Sequence, residues 1–182
     1  SLSDAEKLEA CQQFVIAGHE TTTSNIANIG RRIASDPELR KRLAADRSLI
    51  PGFVEEVLRL DPPVLGFFRV ATRDTEVAGV KIAKGEYVWV AYAGGNRDPA
   101  GCPMSHEFDP TRHPNQHFSF GYGEHVCLGA GLARAQSVIA TNALVDLPNL
   151  ALAPDHVDAY SDSYILRGLK SLKITFDPAV AA

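Results

Sequence analysis

The sequence predicts a mainly α chain with small β-sheets, and three observations predict it. Helical patterns with clear start and stop signals fill the first third of the chain and return at residues 128–147. Between them lie short runs rich in β-branched and aromatic residues, bounded by turn formers. Just before the last helical stretch stands "FGYGEHVCLGAG", residues 120–131, where four glycines crowd around Cys127. Glycine weakens regular structure, so such a cluster marks a special turn or a close backbone approach to something.

The elements follow in order. Ser3 and Glu6 form a capping box for a long helix from about Asp4 to Ala34. "SDPELRKRLAAD" starts a second helix, with Ser35 or Asp36 as cap and Pro37 in the first turn. "PGFVEEVLRL" is a third, stopped by Pro62 and Pro63. The runs "FFRVAT", "TEVAGVKIA" and "EYVWVAYA" read as strands, with "AKGE" as a turn between the last two. Residues 93–119 read as irregular coil. The end, "SYILRGLKSLKITF", reads as a hairpin turning near Gly168.

Composition narrows the function. The 182 residues suffice for one domain, and no repeat or linker divides them. With 45% hydrophobic and 22% charged residues the chain reads as soluble and globular. A net charge of −4 gives no reason to expect nucleic acid. Cys11, Cys102 and Cys127 are odd in number, far apart and without CxxC spacing. That argues against a disulfide framework or a zinc site and for a reducing cytoplasm. The polar, acidic start is unlike a signal peptide, and no apolar run is long enough for a membrane span.

Two helices carry anomalies. "AGHETTTSN", residues 17–25, sets a glycine and three threonines inside an otherwise apolar helix. Gly costs about 1 kcal/mol relative to Ala there, and threonine is a mediocre former. Gly18, Thr21, Thr22 and Asn25 share one face, a small polar notch. A threonine hydroxyl in it can bond the carbonyl one turn back and loosen the helix. The plainer reading is close packing of a neighbour against Gly18. In the third helix Glu56 and Arg59 stand three apart among apolar residues, as a surface pair or a buried, networked one.

Read together, "AGHETT", Glu56-x-x-Arg59 and "FGYGEHVCLG" resemble the cytochrome P-450 superfamily of haem-thiolate monooxygenases. The loop matches the family pattern F-G-x-G-x-H-x-C-x-G at Phe120, Gly121, Gly123, His125, Cys127 and Gly129. "GVKIAKGEYV" and "GNRDP" are weaker family features, and "CPM" at 102–104 looks like the soluble bacterial camphor-hydroxylase branch. The resemblance covers the C-terminal half of the family's fold: long central helix, ExxR helix, β hairpins, meander, cysteine loop and following helix. It implies one unit over 1–182 with the N-terminal half of the fold absent. Such a piece is expected to expose apolar helix faces.

The resemblance also implies roles. Cys127 would be the proximal ligand of haem b, iron protoporphyrin IX, as a thiolate supported by backbone N–H groups and a helix start. Phe120, Gly121 and the other loop glycines would let the backbone pass close to the porphyrin. His125 and Arg69 would hold propionates. Gly18 would make room for dioxygen, and Glu20 with Thr21 would deliver protons without flooding the site. Glu56 and Arg59 would be a structural ion pair, its third member open between His106 and Arg112. Val64, Leu65, Phe67, Ile165 and Leu166 would meet a small apolar substrate. No nucleotide fingerprint appears in the chain. Electrons are therefore expected ultimately from NAD(P)H, through an external ferredoxin or flavodoxin and its reductase. Arg112, His113 and Arg134 flank the loop in sequence and would face that partner. Two rival readings stay open: a haem-thiolate peroxygenase, and a haem-binding or degenerate remnant without catalysis. The parent chemistry and the activity of these 182 residues alone are separate questions.

Overall fold

The computed structural model describes residues 2–101 and 105–178. Cys102 and the rest of "CPM" lie outside the described residues. The long first helix, α1, runs Asp4–Ser35, with Ser3 and Glu6 forming the expected capping box. At its far end Asp36 caps α2 (Pro37–Ala45), its side chain accepting from the Leu39 N–H. A short 3-10 turn then leads into α3 (Ile50–Leu60).

α3 lies at the centre. Ile50, Phe53, Val54, Val57 and Leu58 are buried against Ile29 and Ile33 of α1 and Leu39 and Leu43 of α2. Phe53 meets the Phe108 ring edge-on, with centroids 5.9 Å apart. The last helix, α5 (Ala130–Val145), packs along both α1 and α3. α1 and α5 run in the same direction: Asn25 Nδ2 donates to Ser137 Oγ (2.8 Å), and further along Gly30 comes up against Leu144.

The strands make three two-stranded antiparallel sheets. β1 (Phe67–Val70) pairs with β4 (Tyr87–Val90), Phe67 opposite Val90. "TEVAGVKIA" is not one strand. It folds on itself as β2 (Thr75–Val77) and β3 (Val80–Ile82), with Ala78 at φ +50° and Gly79 at φ +82°. Two consecutive positive φ values are what a tight hairpin with native twist demands. "AKGE" is the expected turn, with Gly85 at φ +90° and Glu86 N–H donating to Ala83 O (3.1 Å). The third strand-like run stops at Val90, and a four-residue helix, α4 (Tyr92–Gly95), opens the segment read as coil.

The terminal hairpin also differs. Its arms are 151–161 and 168–175, joined by β5 (Ala151–Leu152) and β6 (Ile174–Thr175) and by Ser161 N–H donating to Gly168 O (2.9 Å). The turn therefore spans 162–167, ahead of Gly168. Its backbone is held by the chain after α3: Leu65 N–H donates to Ile165 O (2.7 Å) and Arg167 N–H to Pro63 O (2.8 Å). No helix of the described residues is long and apolar enough to cross a membrane.

Candidate functional site

The cysteine loop is built by its backbone. Gly121 and Gly123 sit at φ +74° and +73°, a region that suits glycine. A Cβ on Gly121 would also press within 3.3 Å of His125 O. These turns carry a short 3-10 helix, Gly123–His125, and close with Cys127 N–H donating to Phe120 O (2.8 Å). Cys127 then stands exposed two residues before Gly129, the N-cap of α5, which has no side-chain cap. Ala130 N–H turns back to Cys127 O (3.3 Å), and the amides that follow it carry the positive end of the helix, which favours an anion. Phe118, Tyr122, Val126 and Leu128, on either side of Cys127 in the chain, leave apolar surface exposed on the loop.

This arrangement fits a haem. Among the described residues no group of three or more His, Cys, Asp or Glu converges to hold a bare metal ion. Cys127 would meet its metal as a lone protein ligand, which suits an iron already held by a porphyrin. The apolar rim suits the macrocycle. Arg69, on exposed β1, reaches Tyr92 Oη at 3.5 Å across a cleft of about 340 Å³ lined also by Val90, Phe118 and Tyr122. Its guanidinium is thus available to a carboxylate near the loop.

Behind the loop lies the Glu56–Arg59 pair, completely buried. Arg59 Nε and one terminal nitrogen donate to the two Glu56 oxygens, both at 2.8 Å. Its remaining donors reach Asn96 O (2.8 Å), Ser105 O (2.7 Å) and Glu107 O (3.0 Å). Glu56 in turn accepts from Asp109 N–H, Asn115 Nδ2 and Arg112 Nε. Arg112 therefore joins the network, at 3.3 Å from Glu56, while His106 is exposed. That placement corrects the reading of Arg112 as a partner-facing arginine. Asn96 carries the network forward: it donates to Arg59 O and Ser119 Oγ, and its oxygen accepts the Phe118 N–H (2.6 Å). The segment entering the cysteine loop is thus tied to α3.

The other expected residues fall in two groups. Val64 and Leu166 form a β-bridge, and Leu65 is bonded to Ile165, so four of the five apolar residues do meet. Phe67 instead meets Tyr92, edge-on at 6.1 Å. Gly18 and Glu20 are exposed on α1, and Thr21 is half-buried. The Thr21 hydroxyl does bond Ala17 O (2.7 Å), yet α1 continues unbroken. No described residue packs against Gly18: a Cβ there would find nothing within 4 Å. Because α1 and α5 are parallel, the Gly18–Thr21 turn lies at the level of the start of α5, the end that carries Cys127.

Sequence reasoning missed Asn96, Tyr92 and Glu55. Asn96 sits in "GNRDP", and Glu55 is the first of the paired glutamates of "EEVLR". Glu55 holds Arg134 through both carboxylate oxygens (2.7 and 2.9 Å) and His117 Nε2 at 3.0 Å. Burial pushes its pKa up, but the hydrogen bonds from His117 and Arg134 together outweigh that and pull it down to about 2.

A family model described as Cytochrome P450 matches residues 1–164. The Biotin biosynthesis cytochrome P450 of Bacillus subtilis is 40% identical over 177 residues, 97% of this chain and 45% of that protein. The Vitamin D(3) 25-hydroxylase of Pseudonocardia autotrophica is 39% identical over 183 residues, again covering 45% of its length. The crystal structure of CYP109E1 from Bacillus megaterium in complex with testosterone superposes with a TM-score of 0.93 at 34% identity. That match covers 98% of this chain and 50% of that one. The chain thus spans less than half the length of these curated relatives.

Proposed function

The chain belongs to the cytochrome P450 family, and on that premise we propose that it is the haem-thiolate part of a monooxygenase. The reaction inserts one oxygen atom of O2 into a small apolar organic substrate. The observation that carries this reading is the exposed Cys127 at the uncapped start of α5, inside a loop that two positive-φ glycines shape. Cys127 would hold haem b, which supplies the oxygen chemistry when bound. The amides at the start of α5 favour the negative sulfur. Phe120 and Gly121 would let the backbone come close to the ring, and His125 and Arg69 would hold its propionates.

On the other face Gly18 leaves space for dioxygen. Thr21 commits its proton to Ala17 O. Toward the pocket it offers lone pairs, which hold an ordered water or another proton donor. Glu20, exposed beside it, exchanges protons with solvent and hands them inward. The joined Val64, Leu65, Ile165 and Leu166, with Phe67 close by in sequence, supply an apolar wall, in keeping with a similar protein crystallised with testosterone. Electrons come ultimately from NAD(P)H through an external ferredoxin or flavodoxin and its reductase. With Arg112 committed to Glu56, the exposed flank of Arg134 and the ring of His113, next to Arg112 in sequence, are the contacts offered to an acidic partner.

The test is spectroscopic. Cys127→Ala should abolish the thiolate-type band of the reduced carbon monoxide complex, and Cys11→Ala should keep it. A Cys127→Ala protein that retains the band overturns the reading.

A further inference from the structure

We propose that Glu55 is a positioning residue for the cysteine loop: it fixes Arg134 and His117 against Phe120 and sets the net charge beside the Cys127 sulfur. The inference rests on Cys127 as the haem ligand and assigns the device that tunes it.

The geometry runs in three steps. Adjacent carboxylates on α3 go to different places: Glu56 into the meander, Glu55 toward α5 and the loop. Glu55 receives the Arg134 guanidinium as a two-pronged fork, at 2.7 and 2.9 Å. It also receives His117: Ser119 N–H donates to His117 Nδ1 (3.3 Å), so Nε2 carries the proton that goes to Glu55 at 3.0 Å.

Both clamped groups then press on one ring. The Arg134 guanidinium carbon lies 4.5 Å from the Phe120 centroid, over the ring face. The His117 ring stands 5.9 Å from it, tilted by 44°. Phe120 is the residue whose carbonyl accepts the Cys127 N–H. Holding its ring holds the bond that closes the loop.

Charge gives the device a second consequence. The Arg134 pKa is raised chiefly by its hydrogen bond to Glu55. The geometry puts the charge at the loop: Arg134 covers the ring of Phe120, whose carbonyl takes the Cys127 N–H, and Glu55 pairs that guanidinium. Removing the carboxylate leaves a bare cation beside the sulfur, which favours the more electron-rich, reduced iron. Removing the guanidinium leaves a bare anion and does the reverse.

The experiment compares wild-type, Glu55→Gln, Arg134→Gln and the double variant, each loaded with haem at neutral pH. The midpoint reduction potential and the reduced carbon monoxide spectrum are recorded. The potential should rise in Glu55→Gln, fall in Arg134→Gln, and return close to wild-type in the double variant. All four should keep the thiolate band. A purely structural role predicts otherwise: each change loosens the same loop, so both single variants shift one way and the double at least as far. That pattern, or no shift in either, overturns the proposal. Should Glu55→Gln not fold, Arg134→Gln decides alone, since a rise or no change there contradicts the charge argument. A wild-type protein without the thiolate band overturns the haem-ligand reading and this proposal together. A wild-type band with wrongly signed shifts overturns this proposal only.

Discussion

At the junction of α3 and the meander, Glu56 and Arg59 are 0% exposed, whereas on the first half of α1 Phe14 and Val15 leave 63% and 70% of their surface open. The usual order of burial is inverted. An ion pair stays inside because every donor of Arg59 and both oxygens of Glu56 find partners. Apolar side chains stay outside because no described residue packs over that stretch of helix. The proximal side of the cysteine loop is therefore fixed by contacts within this chain. The face proposed to handle oxygen rests on a helix that these residues cover only beyond Asn25.

The comparison breaks hardest at Arg59. Arg59→Leu strips the donors from Asn96 O, Ser105 O and Glu107 O and leaves Glu56 half-paired in the core. Breaking one partner of such a buried pair costs about 3–5 kcal/mol. Urea unfolding should show the midpoint collapse, and an unchanged midpoint would mean the network carries little.

Gly52 probes the same side by sterics. A Cβ there would lie 2.4 Å from Pro110 O, a backbone atom that cannot step aside. Gly52→Ala should cost about 1–3 kcal/mol by forcing α3 and the meander apart. A neutral alanine on a thermal melt would show that the junction yields.

Acid offers a titration of the clamp. Glu55 falls from an ordinary 4.5 to about 2, because its hydrogen bonds outweigh burial. A depressed carboxylate contributes stability that is complete above pH 4.5 and is lost as pH falls through about 2. Stability measured between those values should drop, and Glu55→Gln should flatten the drop. Parallel slopes in both proteins would place the acid sensitivity elsewhere, with Asp158 the next carboxylate to replace. Its pKa is also held down to about 2, first by Arg31.

On the open side the expected effect is smallest and opposite in sign. Gly18→Ala meets no neighbour and should stabilise α1 by about 0.5–1 kcal/mol. It should also lower product formation, because the methyl occupies the space assigned to dioxygen. Equal turnover with raised stability would show that Gly18 is not part of the oxygen face.

What was legible in advance was local. Ser3 and Glu6, Asp36 with Pro37, and Pro62 with Pro63 bounded the helices, because caps and prolines act within one turn. The cysteine loop was legible for the same reason: its glycines and Cys127 are neighbours along the chain. The hairpin inside "TEVAGVKIA" was missed although its signal was local, since Ala78 is an unusual residue for a positive φ.

Long-range partnership was decided by the tertiary structure alone. By itself the sequence determined the helices, the strand-rich middle and the glycine-shaped turn around Cys127. It left Arg112 and His106 equivalent as partners for Glu56, and it left Glu55 unremarked. Glu55 finds His117 and Arg134 at separations of 62 and 79 residues. Burial in the fold selects among such distant groups. A charged side chain enters the core only where all its hydrogen bonds are met at once, and that condition is set by which segments lie side by side.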